Sequence, residues 1–245
     1  MYKIIKKISR IFISKKIFIK NEKIFRSLVY LFYIGKNKQC NICNRKLRKF
    51  IILNNGDQLC PGCGSLGRNR RLWDILKDDI KTENISILDF SPSRCLYYKF
   101  KSIDKINYVS SDFKNEFLAD KKYDITGIDC PSENFDIIIC YHILEHIADD
   151  RRAIKELGRV LKPAGKCYIQ TPFKEGEIYE NYSITDPKER VKHFGQEDHL
   201  RIYSITGLKQ RIEESGLKVE IKQFIIENEN YYGFSETESL LLVNR

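Results

Sequence analysis

Four cysteines stand in two close pairs, Cys40 with Cys43 and Cys60 with Cys63, in the pattern C-x2-C-x16-C-x2-C. Each C-x2-C turn presents two thiolates to one ion, and a spacer of hairpin length brings the turns together, so the spacing suits tetrahedral Zn2+. A four-cysteine site has no open coordination position; it would staple a small ribbon and perform no chemistry. The competing reading is a redox role for either pair, although redox dithiols usually come singly and within a strand-helix unit. A second chemical cluster follows at residues 142–146, "HILEH". His142, Glu145 and His146 match H-x-x-E-H, which in one group of metallopeptidases sets two imidazoles on one helical face beside a carboxylate that serves as general base. That chemistry needs a well-formed helix and a further ligand downstream. Here His142 comes two residues after the apolar run "FDIIIC", and helical periodicity starts only after Asp149 and Asp150, so a peptidase metal centre is not expected.

The elements that must position these groups follow from the rhythm of apolar residues. From about residue 84, short apolar runs alternate with helical patterns: "ISILDF" (85–90), "INYVSSD" (106–112), "FDIIIC" (135–140) and "KCYIQT" (166–171) read as strands, with helices over "CLYYKFKSID" and over 149–161. This alternation predicts a parallel sheet covered by helices on both faces. A helix at 205–216 and strands at 217–224 and 239–244 close the chain. In such sheets ligands bind beyond the carboxyl ends of the strands, which is where His142 falls.

Charge is concentrated at one end. Residues 1–39 hold eleven Lys and Arg against Glu22 alone, so this segment carries the whole net charge of +10 and the remainder is formally neutral. A neutral main domain argues against a polyanionic substrate such as a nucleic acid lying across it. Within residues 1–34, Ile4, Ile8, Ile11 and Phe12 recur at helical spacing among lysines. Two readings stay open: a basic amphipathic helix on an anionic membrane surface, on the inner face of the cell membrane, or a helix packing its apolar stripe on the main domain. No stretch approaches 20 residues without a charge, so a spanning helix is not expected. The eight cysteines are spread over 245 residues with no cleavable-looking signal peptide; a metal site in a reducing, cytoplasmic setting fits them better than disulfides. Cys95, Cys130, Cys140 and Cys167 read as small core residues.

The segment 133–173, "ENFDIIICYHILEHIADDRRAIKELGRVLKPAGKCYIQTPF", resembles the stretch from the fourth to the fifth strand of class I S-adenosylmethionine-dependent methyltransferases. The resemblance extends as a fold over 84–245, and "CPGCGSLGRNRRLW" resembles the N-terminal zinc-binding piece of some bacterial members. It implies an α/β, Rossmann-like sheet of seven strands in the order 3-2-1-4-5-7-6, preceded by a small zinc ribbon. The implied partition is 1–38 basic segment, 39–72 zinc-ribbon module and 73–245 methyltransferase domain, with an acceptor-side insertion at 172–204.

Carried onto this sequence, the resemblance places S-adenosylmethionine on named residues. "ILDFSPS" occupies the first cofactor loop: Asp89 matches the acidic position, while Ser91 and Ser93 stand where glycines are usual. Glycine there permits unusual backbone angles and close approach of a ligand. Asp112 is placed to accept the ribose hydroxyls, Asp124 and Ile125 to meet the adenine, and Tyr141 and His142 to line the methionine end. Glu145 and His146 are expected to organise a helix start by local hydrogen bonds. In the insertion, "HFGQEDHLRIY" resembles a family segment; His199 is the expected base and Arg201 the expected acceptor clamp, with loop-stabilising hydrogen bonds as the alternative for both. The expected function is methyl transfer to a small polar acceptor, a sugar or surface-glycan precursor by family analogy. The alternative is a non-catalytic protein, a zinc ribbon on a degenerate methyltransferase fold that recruits a partner or RNA.

Overall fold

A computed structural model describes residues 21–81, 84–226 and 229–245. Residues 1–20 of the basic segment lie outside the described residues. The chain gathers into two compact units: the first takes the described residues as far as Asp79 with 93–99 and 226–236, and the second takes the remainder. Residues 93–99 and 226–236, which the sequence reading gave to the C-terminal domain, thus group with the cysteine-bearing part.

In the first unit, helix α1 (Glu22–Leu31) is followed by the short strands β1 (Ile34–Gln39), β2 (Lys46–Leu47), β3 (Ile51–Ile52) and β4 (Gln58–Leu59), then helix α2 (Gly67–Asp79). β1 pairs with β2 and β3 with β4, both antiparallel. The β3–β4 hairpin turns at Asn54-Asn55-Gly56, as the sequence suggests, with Gly56 at φ +84°. The α1 side chains Ile24, Leu28 and Leu31, and Phe32 just after the helix, are all more than half exposed.

The second unit is built on a six-stranded sheet: β5 (Ile85–Phe90), β6 (Ile106–Ser111), β7 (Phe135–Tyr141), β8 (Leu161–Gln170), β11 (Lys218–Ile225) and β12 (Thr237–Asn244). In space the order is β6-β5-β7-β8-β12-β11, with the first four parallel and β12 antiparallel to both neighbours. This is the expected order without its third strand. Residues 113–134 are polar and interrupted by Gly127 and Pro131; among the described residues they form no strand, and they meet β6 at a parallel bridge between Ser111 and Lys121 and through hydrogen bonds made by residues 120–123.

Helix α3 (Arg94–Lys101) follows β5, and α4 (Asp150–Val160) lies between β7 and β8. The Asp149 carboxylate caps α4 by accepting the Arg152 N–H at 3.0 Å. The α4 face at Ala153, Ile154, Leu157 and Val160 packs into the core with Leu88, Ile138, Cys140 and Cys167. Cys140 and Cys167 are buried, as expected, and burial pushes both thiols up. The insertion folds as β9 (Tyr179–Glu180), α5 (Pro187–Phe194) and β10 (Arg201–Ile202), and α6 (Ile205–Glu213) completes the unit. Among the described residues no helix is long and apolar enough to cross a membrane.

Candidate active site and cysteine cluster

Both C-x2-C turns take the same local form. The N–H of Asn44 returns to the Cys40 carbonyl at 2.8 Å, and that of Gly64 to the Cys60 carbonyl at 2.9 Å. Asn44 (φ +58°) and Gly64 (φ +78°) both adopt the left-handed backbone that ends such a turn. The turns face each other, with Cys40 Sγ 3.6 Å from Cys63 Sγ and Cys43 Sγ 3.8 Å from Cys60 Sγ. These separations are far too long for disulfides, and all four thiols are free. Tetrahedral zinc with bonds of about 2.3 Å holds its sulfurs roughly 3.8 Å apart, so the donor set fits the ion. The Ser65 hydroxyl lies 3.3 Å from both Cys40 and Cys63 sulfurs. The buried Arg70 guanidinium anchors Ser65 by donating to its carbonyl at 2.6 Å and its hydroxyl at 3.1 Å. Bonds from Cys43, Cys60 and Cys63 drive the Cys40 thiol toward thiolate.

In the second unit the carboxyl ends of β5, β6, β7 and β8 carry the expected cofactor residues. Ser91 adopts φ +47°, the left-handed conformation that glycine usually supplies. Its hydroxyl donates to Asp112 Oδ1 at 2.8 Å, while Asp112 Oδ2 accepts the backbone N–H groups of Glu116 (2.5 Å) and Phe117 (3.1 Å). Asp112 therefore sits at the strand end as expected, but both its oxygens already serve the protein. A carboxylate offers about four lone-pair sites, so Oδ1 retains capacity for a ribose hydroxyl, and the Ser91 rotor can join it. Asp89 is buried and faces Tyr108, whose hydroxyl donates at 3.0 Å. Burial pushes its carboxyl up to about 7 against the opposing effect of the Tyr108 bond. Asp124 closes a local turn by accepting from the Thr126 amide and hydroxyl at 2.8 and 2.7 Å, and these bonds lower its pKa. Ile125 beside it is buried. Ser93 belongs to the other unit, where its carbonyl accepts from Leu96 and Tyr97 at the start of α3.

The "HILEH" segment is a tight turn, with a short 3-10 helix over Leu144–His146. Tyr141 ends β7, and His142 follows at φ +56° with its N–H bonded to the Gln170 carbonyl at 2.7 Å. The expectation that Glu145 and His146 organise a helix start is corrected for α4, which starts at Asp150 under the Asp149 cap; the Glu145 carboxylate is 1% exposed. Glu145 Oε1 lies 3.3 Å from His142 Nδ1. Burial alone would raise the Glu145 pKa, but His142 and His146 hold it below its ordinary value.

His199, 3% exposed, comes from the insertion to the same place. Its Nδ1 is 3.0 Å from the Phe194 carbonyl; a carbonyl only accepts, so Nδ1 is the donor, and in the neutral ring the lone pair is on Nε2. The His146 and His199 rings meet edge to face at 4.7 Å. Arg201 is not an acceptor clamp. It is fully buried, and its five N–H groups are spent on Glu180, Tyr182 and the carbonyls of Leu144, Ile147 and Ala148. It binds the "HILEH" turn to the insertion and so seats His199 beside Glu145; Leu200 N–H bonded to the Glu145 carbonyl at 2.9 Å completes the seam. Sequence reasoning missed Gln170 and Thr171 at the end of β8; no motif marks them.

A family model described as a methyltransferase domain matches residues 67–221. The chain belongs to this methyltransferase family, of class I, as the sheet order and rim site above define it. Among curated relatives, a ubiquinone biosynthesis O-methyltransferase of Coxiella burnetii is 30% identical over 98 residues, 39% of this chain and 42% of that protein. A tRNA U34 carboxymethyltransferase of Campylobacter fetus subsp. fetus is 32% identical over 96 residues, 38% of this chain and 31% of the relative. The chain thus spans less than half the length of these relatives. A solved S-adenosylmethionine-dependent methyltransferase of Archaeoglobus fulgidus is 15% identical with a TM-score of 0.49, over 74% of this chain and 94% of that one.

Proposed function

We propose that the protein transfers a methyl group from S-adenosylmethionine to a small polar acceptor at the carboxyl rim of the second unit. The observation that carries this reading is a set of buried polar atoms without hydrogen bonds at the ends of β7 and β8: His142 Nε2, Glu145 Oε2, Gln170 Oε1, Thr171 Oγ1 and His199 Nε2. Leaving one such group unpaired costs about 1 to 3 kcal/mol, so their concentration in one place marks groups kept for a ligand. The cofactor, when bound, supplies an electrophilic methyl on a sulfonium. Asp112 and Ser91 would hold its ribose, Asp124 and Ile125 its adenine, and Tyr141 and His142 its methionine end. The transfer is an in-line displacement, so the chain mainly aligns the acceptor. His199, with its lone pair directed away from Phe194, would take the acceptor side.

The O-methyltransferase relative favours an oxygen nucleophile; a saccharide acceptor rests on family analogy alone. The cysteine cluster is read as a structural zinc ribbon, with the partition 1–38, 39–72 and 73–245 as the proposed organisation. One observation favours the non-catalytic alternative: Ser91 occupies an Asp112 oxygen. Calorimetric titration with S-adenosylmethionine, followed by turnover assays, separates the two. Asp112→Ala should weaken cofactor binding about ten-fold or more. His199→Ala should leave that binding nearly unchanged and lower turnover about 100-fold or more. Wild-type protein that binds no cofactor at millimolar concentration would end the catalytic reading.

A further inference from the structure

The metallopeptidase reading of "HILEH" fails, yet the turn meets a third group that the sequence did not reveal. One ligand atom from each of Glu145, His146 and His199 lies within 4.8 Å of the other two. We propose that these three residues bind a first-row divalent cation, Zn2+ or Mn2+, at the rim of the second unit, at a site separate from the cysteine cluster.

Three features beyond proximity support this. The Glu145 carboxylate and His199 are both more than nine-tenths buried; Glu145 Oε1 lies 3.3 Å from His142 Nδ1, while Glu145 Oε2 and His199 Nε2 have no hydrogen-bonding side chain among the described residues. His199 Nδ1 is hydrogen-bonded to the Phe194 carbonyl at 3.0 Å, whereas His146 Nδ1 lies 3.0 Å from Asp198 Oδ2 as an ion-pair contact without a hydrogen bond. A carbonyl or carboxylate behind one ring nitrogen is the arrangement that orients a metal-ligating imidazole and raises its basicity. Thirdly, the Arg201 guanidinium holds the turn and the insertion together through the carbonyls of Leu144, Ile147 and Ala148, so the three donors do not depend on a loose loop.

Two imidazoles and one carboxylate form a mixed N/O set with positions left for water or substrate, unlike the closed four-sulfur set. Bonds of about 2.1 Å call for donors roughly 3 to 3.5 Å apart, a contraction within reach of side-chain rotation. Resting on the methyl-transfer reading, the open positions would take the oxygen of the acceptor, and His199 would then act through the cation rather than as a free base. The cation binding itself does not need that reading.

The test uses the full chain. Mn2+ is added, followed by the loss of its free-ion resonance signal, because Mn2+ favours nitrogen and oxygen over thiolate ligands. One Mn2+ should bind wild-type protein, and Glu145→Gln and His199→Gln should weaken binding about 100-fold or more. Elemental analysis of zinc-supplemented protein should show two equivalents, of which each of these variants loses one. Circular dichroism shows whether the variants are folded; the wild-type stoichiometry stands even if they are not. Wild-type protein that holds one zinc and takes up no Mn2+ at millimolar metal overturns the proposal and leaves an acid-base cluster only. Folded Glu145→Gln protein that binds Mn2+ like wild type also overturns it. Calorimetry with S-adenosylmethionine on the same preparations keeps the two readings apart, since cofactor binding lost with Mn2+ binding kept would sink methyl transfer alone.

Discussion

Burial holds the Asp89 carboxyl at about 7, where an ordinary aspartate titrates at 3.8. The folded state therefore binds a proton that the unfolded state has released between these values, and stability falls as pH rises through that window. Below it the group is protonated in both states and contributes no pH dependence. Asparagine has nearly the same shape and can still accept from Tyr108. Asp89→Asn should thus unfold at higher urea than wild type at pH 8.5, by on the order of a few kcal/mol, and the gap should close toward pH 4. Urea titrations at the two pH values check this; an equal gap at both would show that Asp89 ionises normally. Ser91 carries the residue-scale lesson in legibility. Its departure from glycine is visible in the sequence, but the response is not: serine adopts the left-handed backbone and spends its hydroxyl on Asp112. A chain of letters shows which residue replaces glycine, and only coordinates show which lone pair the replacement occupies.

At the scale of elements, the parallel core was legible because β5, β7 and β8 hold short apolar runs rich in isoleucine and bounded by polar turns, a length and composition that favour buried strands over helices. The third strand was not, because its region lacks an apolar run and a family pattern supplied it instead. The pairing of His199 with Glu145 was also invisible, since 54 positions separate them and Arg201, the residue that joins their segments, was expected as an acceptor clamp, with loop-stabilising hydrogen bonds only as the alternative. Helix α1 poses a different question. Ile24, Leu28 and Leu31 follow one another at helical spacing with exposures of 61, 55 and 60%, continuing the pattern expected for a helix lying on an anionic bilayer. Each basic residue near such a surface adds about 1 kcal/mol, and the apolar stripe adds burial. Co-sedimentation with vesicles containing anionic lipid should therefore be strong at low salt and weak at high salt. It should fall about ten-fold or more in a Leu28→Asp, Leu31→Asp variant. Binding indifferent to both salt and these substitutions would return the segment to a purely structural role.

For the whole molecule, the cysteine cluster and the rim site should respond separately to loss of metal. The first unit has short strands and a small core, so an ion held by the four cysteines would supply a large share of its stability. Cys60→Ser with Cys63→Ser should lower the melting temperature of wild-type protein by several degrees or more, with one zinc equivalent lost. Prolonged chelation should move wild type toward the same value. Melting curves that coincide with and without zinc would show that the cluster staples nothing.

The missing third strand has a consequence for self-assembly. A sheet ends where its last strand offers unpaired amides, and such an edge is a template on which another chain can add a strand. β6 is that edge here, and its carboxyl half is already closed by its own chain. Asp120 accepts the Ser110 N–H at 3.2 Å and hydroxyl at 2.8 Å, the Lys121 carbonyl accepts the Asp112 N–H at 3.1 Å, and the Ser111 hydroxyl accepts the Tyr123 N–H at 2.8 Å. An incoming strand would have to displace these bonds and the Lys101–Asp120 ion pair at 2.8 Å. Residues 120–123 thus do for the sheet what a full strand does elsewhere, ending its growth with a few side chains.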